Sequence, residues 1–410
     1  MERMSRDVAA HIASQNGWLE QINVLGGKAG QILLYAYLYE EFGDNEYHER
    51  IYELVEQGIN QIEAHLESSS FMDFSHGGGI SGFLLTLNHL CERRIIEEEF
   101  DEIIDERVQK LILDSLRMDI ETENYDPLYG YIGKGLFFVS KKEKPFAQTA
   151  FNQIVDTLFR TKIVDKKGNY TWLDVRNAGN LDERGRAHVV YDCGLAHGVS
   201  GIITFCARLY GVIEDQKRRE LVKVMVERST LWLLDQQRND GLFMFPYAKF
   251  DDPDDPGSRP YNARLAWCYG DLAVSIAVYN AALVLGQQVL FDKSKEIALN
   301  AARVDFWESG VMNENGSSDP SFCHGSCGIS YLFLALFEFH KDAFLFEAYE
   351  RWRDFTQAEV KQRLTNSNLY SELSGNSEDF GLLYGYAGIG LTGLSYLSNE
   401  TRPWSQIILL

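Results

Sequence analysis

Two kinds of apolar pattern alternate along the chain. In YHERIYELVEQGINQIEAHL (47–66), Ile51, Leu54, Val55, Ile59, Ile62 and Leu66 fall on one face of a 3.6-residue helix, and charged side chains fill the other. That pattern predicts an outer helix with one face in solvent. In ISGFLLTLNHL, LAVSIAVYNAALVL and IGLTGLSYL the apolar residues run nearly all round, which predicts helices buried on every side. Inner and outer helices are thus expected to alternate.

A short glycine signal introduces each inner helix. Glycines three apart stand at Gly27 and Gly30, Gly79 and Gly82, Gly130 and Gly133, Gly198 and Gly201, Gly325 and Gly328, and Gly385 and Gly388. A seventh, degenerate copy starts at Gly270 and continues Asp271-Leu272-Ala273. One such pair mostly reports close packing, but copies 51 to 72 residues apart along the whole length announce a repeat. Neither end carries a polar capping repeat, so the fold class expected is all-α: about seven inner and seven outer helices closed into an α/α toroid, a single domain over 1–410. Glycine at the first turn of an inner helix lets neighbouring backbones crowd together. Closure would gather seven helix N-termini at one mouth, where unpaired N–H groups and aligned dipoles favour anionic groups such as thiolates.

The longer intervals mark insertions. Residues 160–193 combine a Lys-Gly-Asn turn with β-prone stretches and predict a small strand-bearing elaboration. Residues 236–263, with FDDPDDPGSRPYN, read as a long loop.

A composition of 45% hydrophobic and 24% charged residues excludes a disordered chain. The net charge of −21 disfavours nucleic acid and anionic lipid as partners, and ordinarily means a well-solvated acidic surface. The N-terminus lacks the apolar core of a signal peptide, and stretches such as YLFLALF (331–337) are too short to span a bilayer, so a cytoplasmic location is expected. In a reducing compartment the six cysteines (Cys91, Cys193, Cys206, Cys268, Cys323, Cys327) point to packing, metal ligation or catalysis instead of a disulfide framework.

Register within the repeat selects among them. Cys268 and Cys323 each stand two residues ahead of a repeat glycine, so ring closure would set them side by side at the mouth. With His324 they form a Cys2His set of three ligands and a free fourth position, the pattern of catalytic zinc. The bland reading makes both cysteines small buried hydrophobes. Cys327, a rival ligand, lies one turn further, inside the helix instead of at its mouth, where packing is its expected role. A thiol bound in the open position would lose its proton and remain nucleophilic; a bound water made hydroxide is the alternative, which thiolate-rich sites favour less. His197 directly precedes Gly198 and is either a fourth ligand or a general acid/base at the mouth. Asp126, four residues before Gly130, and Arg264, four before Cys268, either reach the same mouth or are helix-end charges. His76, in SHGGGISG, is open to either reading, whereas His11, His48, His65, His89, His188 and His340 have no such placement.

At ARLAWCYG, CHG and GLAHGVSG the sequence resembles the lanthionine cyclases, the zinc enzymes of lanthipeptide maturation, and through the glycine motifs the resemblance covers essentially the whole chain. It implies an α/α toroid with an elaboration like an SH2 domain. It further implies Zn2+ bound by Cys268, Cys323 and His324, with His197, Asp126, Arg264 and Tyr269 as active-site residues. The implied reaction joins cysteine thiols of a dehydrated precursor peptide to dehydroalanine or dehydrobutyrine as thioether rings. A dehydratase and a transporter of a synthetase complex, with peripheral membrane association, are the further partners it suggests. The family usually follows WCYG with a small residue, Pro and Gly; here Asp271-Leu272-Ala273 follows, so the backbone after Tyr269 is expected to differ while every proposed ligand stays. The rival readings are addition of a free thiol such as glutathione, a zinc-stabilised peptide-binding adaptor, and a toroidal glycosidase. The last needs two opposed carboxylates, for which the acidic turn at 251–255 is the source.

Overall fold

Each repeat opens with a tight loop that explains its glycines. The N–H of the first helical residue donates to a carbonyl seven residues back: Ile80 to Asp73 at 2.9 Å, Tyr131 to Asn124 at 3.0 Å and Ser326 to Asp319 at 2.9 Å. The loop so closed presses backbone against backbone. A Cβ added at Gly79 would strike the carbonyl of Asp73, and one at Gly328 the carbonyl of Phe322, so both members of the pair are clearance requirements. The degenerate copy takes another path. Gly270 has φ 93°, a left-handed conformation suited to glycine, and enters its helix directly through Asp271.

This computed structural model describes residues 2–14, 21–68, 72–174, 176, 189–239, 241–251, 263–314, 316–365 and 380–410. Among them the inner helices are Lys28–Phe42, Ile80–Glu92, Tyr131–Ser140, Val199–Tyr210, Asp271–Leu285, Ser326–His340 and Tyr386–Ser398. The outer ones are Glu2–Ser14, Asn45–Ser68, Glu106–Glu121, Pro145–Thr161, Gln216–Leu234, Gln288–Ala302 and Ala343–Thr365. Each inner helix packs against the next, and the last packs against the first, so the α/α toroid is closed. Closure is sealed twice. Leu382 N–H donates to Val24 O at 3.2 Å, and the N-terminal helix docks on the last inner one, where the Ser5 hydroxyl donates to Gly390 O at 2.9 Å.

The C-terminal stretch fills the middle of the ring. Around the 3-10 turn Pro403–Ile408, His76 Nε2 lies 2.8 Å from Ile407 O and Trp267 Nε1 donates to Ile408 O at 3.1 Å. Arg208 reaches Leu410 O at 3.0 Å, and Trp404 packs on Phe322 and Tyr331. Partners from four repeats converge on one segment. The structure thus gives His76 a packing role: burial pushes its imidazole down to about 4, so it is neutral at pH 7.

Two small antiparallel ribbons interrupt the helices. Ile163–Val164 pairs with Tyr170–Thr171 around Gly168, which has φ 82°. Val189–Asp192 pairs with Ala248–Asp251, in the stretch read as loop, so that expectation is corrected there. The Pro- and Asp-rich signal after it masked a strand whose partner lies more than fifty residues earlier. Residues 177–188, including His188, and most of the acidic turn, 252–255, lie outside the described residues. Among the described residues no helix is long and apolar enough to cross a membrane.

Candidate active site

Backbone hydrogen bonds chain the repeat loops from the fourth round to the third, and they use one register position. The residue two before the first glycine is Leu25, Gly77, Leu128, Ala196, Cys268, Cys323 or Leu383 in successive repeats. Leu25 N–H donates to Gly77 O at 3.3 Å, Gly77 to Leu128 at 2.7 Å and Ala196 to Cys268 at 3.1 Å. Cys268 then donates to Cys323 at 3.4 Å, Cys323 to Leu383 at 2.8 Å and Leu383 back to Leu25 at 3.3 Å. Two cysteines far apart in sequence become neighbours because they occupy this position in adjacent repeats.

Their thiols interact and shift each other in opposite directions. The contact with Cys323 holds the Cys268 thiol below its ordinary range, with the Arg264 guanidinium helping against burial. The same contact, with burial, pushes Cys323 up. His324 lies beside them but engages elsewhere: its Nε2 is 3.4 Å from an Asp319 carboxylate oxygen, and its ring centre 5.7 Å from that of Tyr384. Burial lowers its pKa, with Asp319 opposing. Among the described residues no three His, Cys, Asp or Glu side chains meet at metal-holding spacing. Two of the three expected ligands therefore come together, and the third is next in chain, on the Asp319 side. Cys327 is fully buried within the helix, its thiol pushed up by burial.

One residue further along, directly before the first glycine, stand Tyr129, His197, Tyr269, His324 and Tyr384. Asp126 serves two of them. Its Oδ1 accepts from the N–H groups of Leu128 at 2.8 Å and Tyr129 at 3.0 Å, holding the loop, while Oδ2 lies 2.7 Å from His197 Nδ1. An ionised carboxylate there accepts from Nδ1–H and leaves Nε2 for substrate. Tyr129 stacks on His197 with centroids 6.1 Å apart and 13° between planes. Across the mouth Arg264 Nε donates to the Tyr269 hydroxyl oxygen at 2.6 Å. Burial raises the Tyr269 phenol against the pull of Arg264, and the Cys268 and Cys323 thiols add to the rise. The backbone bonds from Ala196 to Cys268 and from Cys268 to Cys323 set the loop of His197 beside the two cysteine loops, the first of which carries Arg264 and Tyr269.

Sequence reading missed three of these. Tyr129 and Tyr384 occupy the register that singled out His197, and aligning the loops position by position would have found them. Arg176 carries no comparable signal. It joins Asp174 through Nε at 3.0 Å and Nη2 at 2.8 Å, Asp192 at 2.7 Å and Asp126 at 3.5 Å.

A family model described as lanthionine synthetase C-like protein matches residues 20–409. The nisin biosynthesis protein NisC of Lactococcus lactis subsp. lactis is 22% identical over 412 residues, covering 95% of this chain and 89% of that one. The solved structure of nisin cyclase superposes with a TM-score of 0.76 at 18% identity, over 99% of this chain and 96% of that chain. Over that span the superposition reports a common toroid.

Proposed function

The chain belongs to the lanthionine synthetase C-like family, and from that premise we propose that it is a zinc-dependent lanthionine cyclase acting on a dehydrated precursor peptide. The observation that carries the reading is the meeting of three pairs at one mouth: Cys268 with Cys323, His197 with Asp126, and Arg264 with Tyr269.

The donor set suits zinc. Two thiols already in contact lie beside an imidazole whose partner is a half-exposed carboxylate, Asp319, which gives up little on release. Cys268, Cys323 and His324 would hold the ion. When bound, zinc lowers the pKa of a substrate thiol so that its sulfur is nucleophilic at neutral pH.

The chain's own residues do the rest. As the peptide sulfur bonds to the β-carbon of the dehydro residue, the double-bond electrons move to the α-carbon and its carbonyl oxygen. Tyr269 accepts from Arg264 at its oxygen, so its O–H is free to donate to that growing negative charge. His197, fixed through Nδ1 by Asp126, takes up the thiol's proton at its bare Nε2 and then delivers it to the α-carbon. The products balance as a thioether with no oxidant or leaving group. Another enzyme, a dehydratase, must make the dehydro residues, and a cytoplasmic assembly with it and a transporter belongs to the same reading.

The test is thioether formation from a synthetic peptide with one cysteine and one dehydroalanine, followed by loss of alkylatable thiol. Wild type should close the ring and His197→Asn should do so on the order of 100-fold more slowly. A wild-type rate equal to buffer, with zinc bound, would refute the reading. Addition of glutathione without closure would assign the intermolecular reaction instead.

A further inference from the structure

Three carboxylates crowd the histidine side of the mouth, and one cation serves them all. Asp126 and Asp174 have side chains only 2% and 3% exposed, and Asp192 15%. Two of the three hold His197 from different directions. Asp126 binds its ring. Asp192 shapes the loop that carries it: Asp192 Oδ1 accepts from Gly194 N–H at 2.6 Å, and its carbonyl lies where a Cβ on Gly198 would be. Arg176 clamps Asp174 with two parallel bonds and extends Nη2 to Asp192 and Nε towards Oδ2 of Asp126, the oxygen that faces His197 Nδ1. Burial raises Asp192 towards its neutral form, and Arg176 with the Gly194 N–H opposes this. Arg176 follows the hairpin of the strand-bearing region and lies close to the strand Val189–Asp192 in space, so it ties that region to the mouth.

We infer that Arg176 is the positioning residue of the His197–Asp126 pair, setting the tautomer and orientation of His197 through the carboxylates of Asp126 and Asp192. The inference rests on the cyclase reading for its effect on rate, and on geometry alone for its effect on the imidazole. A fork of five donors matches three acceptors, whereas a lysine ammonium keeps the charge and loses the parallel geometry. Without either, His197 is the remaining side-chain partner described for Asp126, whose other oxygen is held by the N–H groups of Leu128 and Tyr129.

The experiment uses full-length protein labelled with 15N-histidine, with the His197 signals assigned by their absence from His197→Asn. Wild type should show Nδ1 protonated and Nε2 bare. Arg176→Ala should lose that pattern, averaging both tautomers, and should lower kcat for ring closure by on the order of 10- to 100-fold, the range for outer partners of a functional histidine, with KM changed less than about threefold. Arg176→Lys should restore part of both, and stands in if the alanine variant does not fold. An unchanged His197 spectrum with unchanged kcat in either variant overturns the inference. Because the spectrum needs no turnover, a wild type that closes no ring would sink the cyclase reading while leaving the role of Arg176 to be decided.

Discussion

Asp126→Asn isolates the charge of one carboxylate from the shape it supports. The amide oxygen of asparagine can still accept from Leu128 and Tyr129, so the loop before Gly130 keeps its two bonds of 2.8 and 3.0 Å. What changes is the other end, where an NH2 now faces His197 Nδ1 across a gap of 2.7 Å. Nδ1 must become the acceptor, and the carboxylate that stabilised the imidazolium is gone. Charges about 4 Å apart interact by about 4 kcal/mol at an effective dielectric near 20. Arg176, 3.5 Å from the same oxygen, already neutralises part of that charge, so about 2–3 kcal/mol is the share lost by the imidazolium. At about 1.4 kcal/mol per tenfold, ring closure should slow by about 30- to 150-fold. The assay is single-turnover closure of the dehydroalanine peptide, with circular dichroism and metal content as controls. A variant within about threefold of wild type, folded and loaded, would refute the role given to the pair.

Two other outcomes follow from packing. His76 is fully buried with a pKa near 4 against 6.5 when exposed, so its contribution is whole above pH 6.5 and is lost as pH falls towards 4, by about 3 kcal/mol in all. Urea midpoints at pH 7 and 4.5 should differ less in His76→Gln than in wild type; equal differences would contradict this. Gly328→Ala should lower the melting temperature and the rate together, because its Cβ meets the Phe322 carbonyl, next to Cys323, and relief by about 1–3 kcal/mol of strain must move the cysteine loop. Calorimetry and the closure assay check both halves.

The toroid was legible because its signal is redundant. Seven glycine signals and two apolar patterns each point to the same closure, and clearance at Gly79 or Gly328 is a backbone requirement that sequence must obey. The cysteines were legible for the same reason: register survives ring closure. Contacts set by tertiary approach were not. Arg176 meets carboxylates 2, 16 and 50 residues away, and nothing local distinguishes it from a solvated arginine. The tail between Pro403 and Leu410 reads as a short apolar end until His76, Arg208 and Trp267 are seen to hold its carbonyls. His324 shows the limit within the site, since adjacency to Cys323 fixes its place on the chain but leaves its ring free to choose Asp319.

Metal content of the purified full chain tests the account at its centre. Wild type should carry one equivalent of zinc, and Cys268→Ala and Cys323→Ala should each lose it while remaining folded by circular dichroism. A folded wild type that takes up no zinc, or a Cys268→Ala protein that retains a full equivalent, would contradict it.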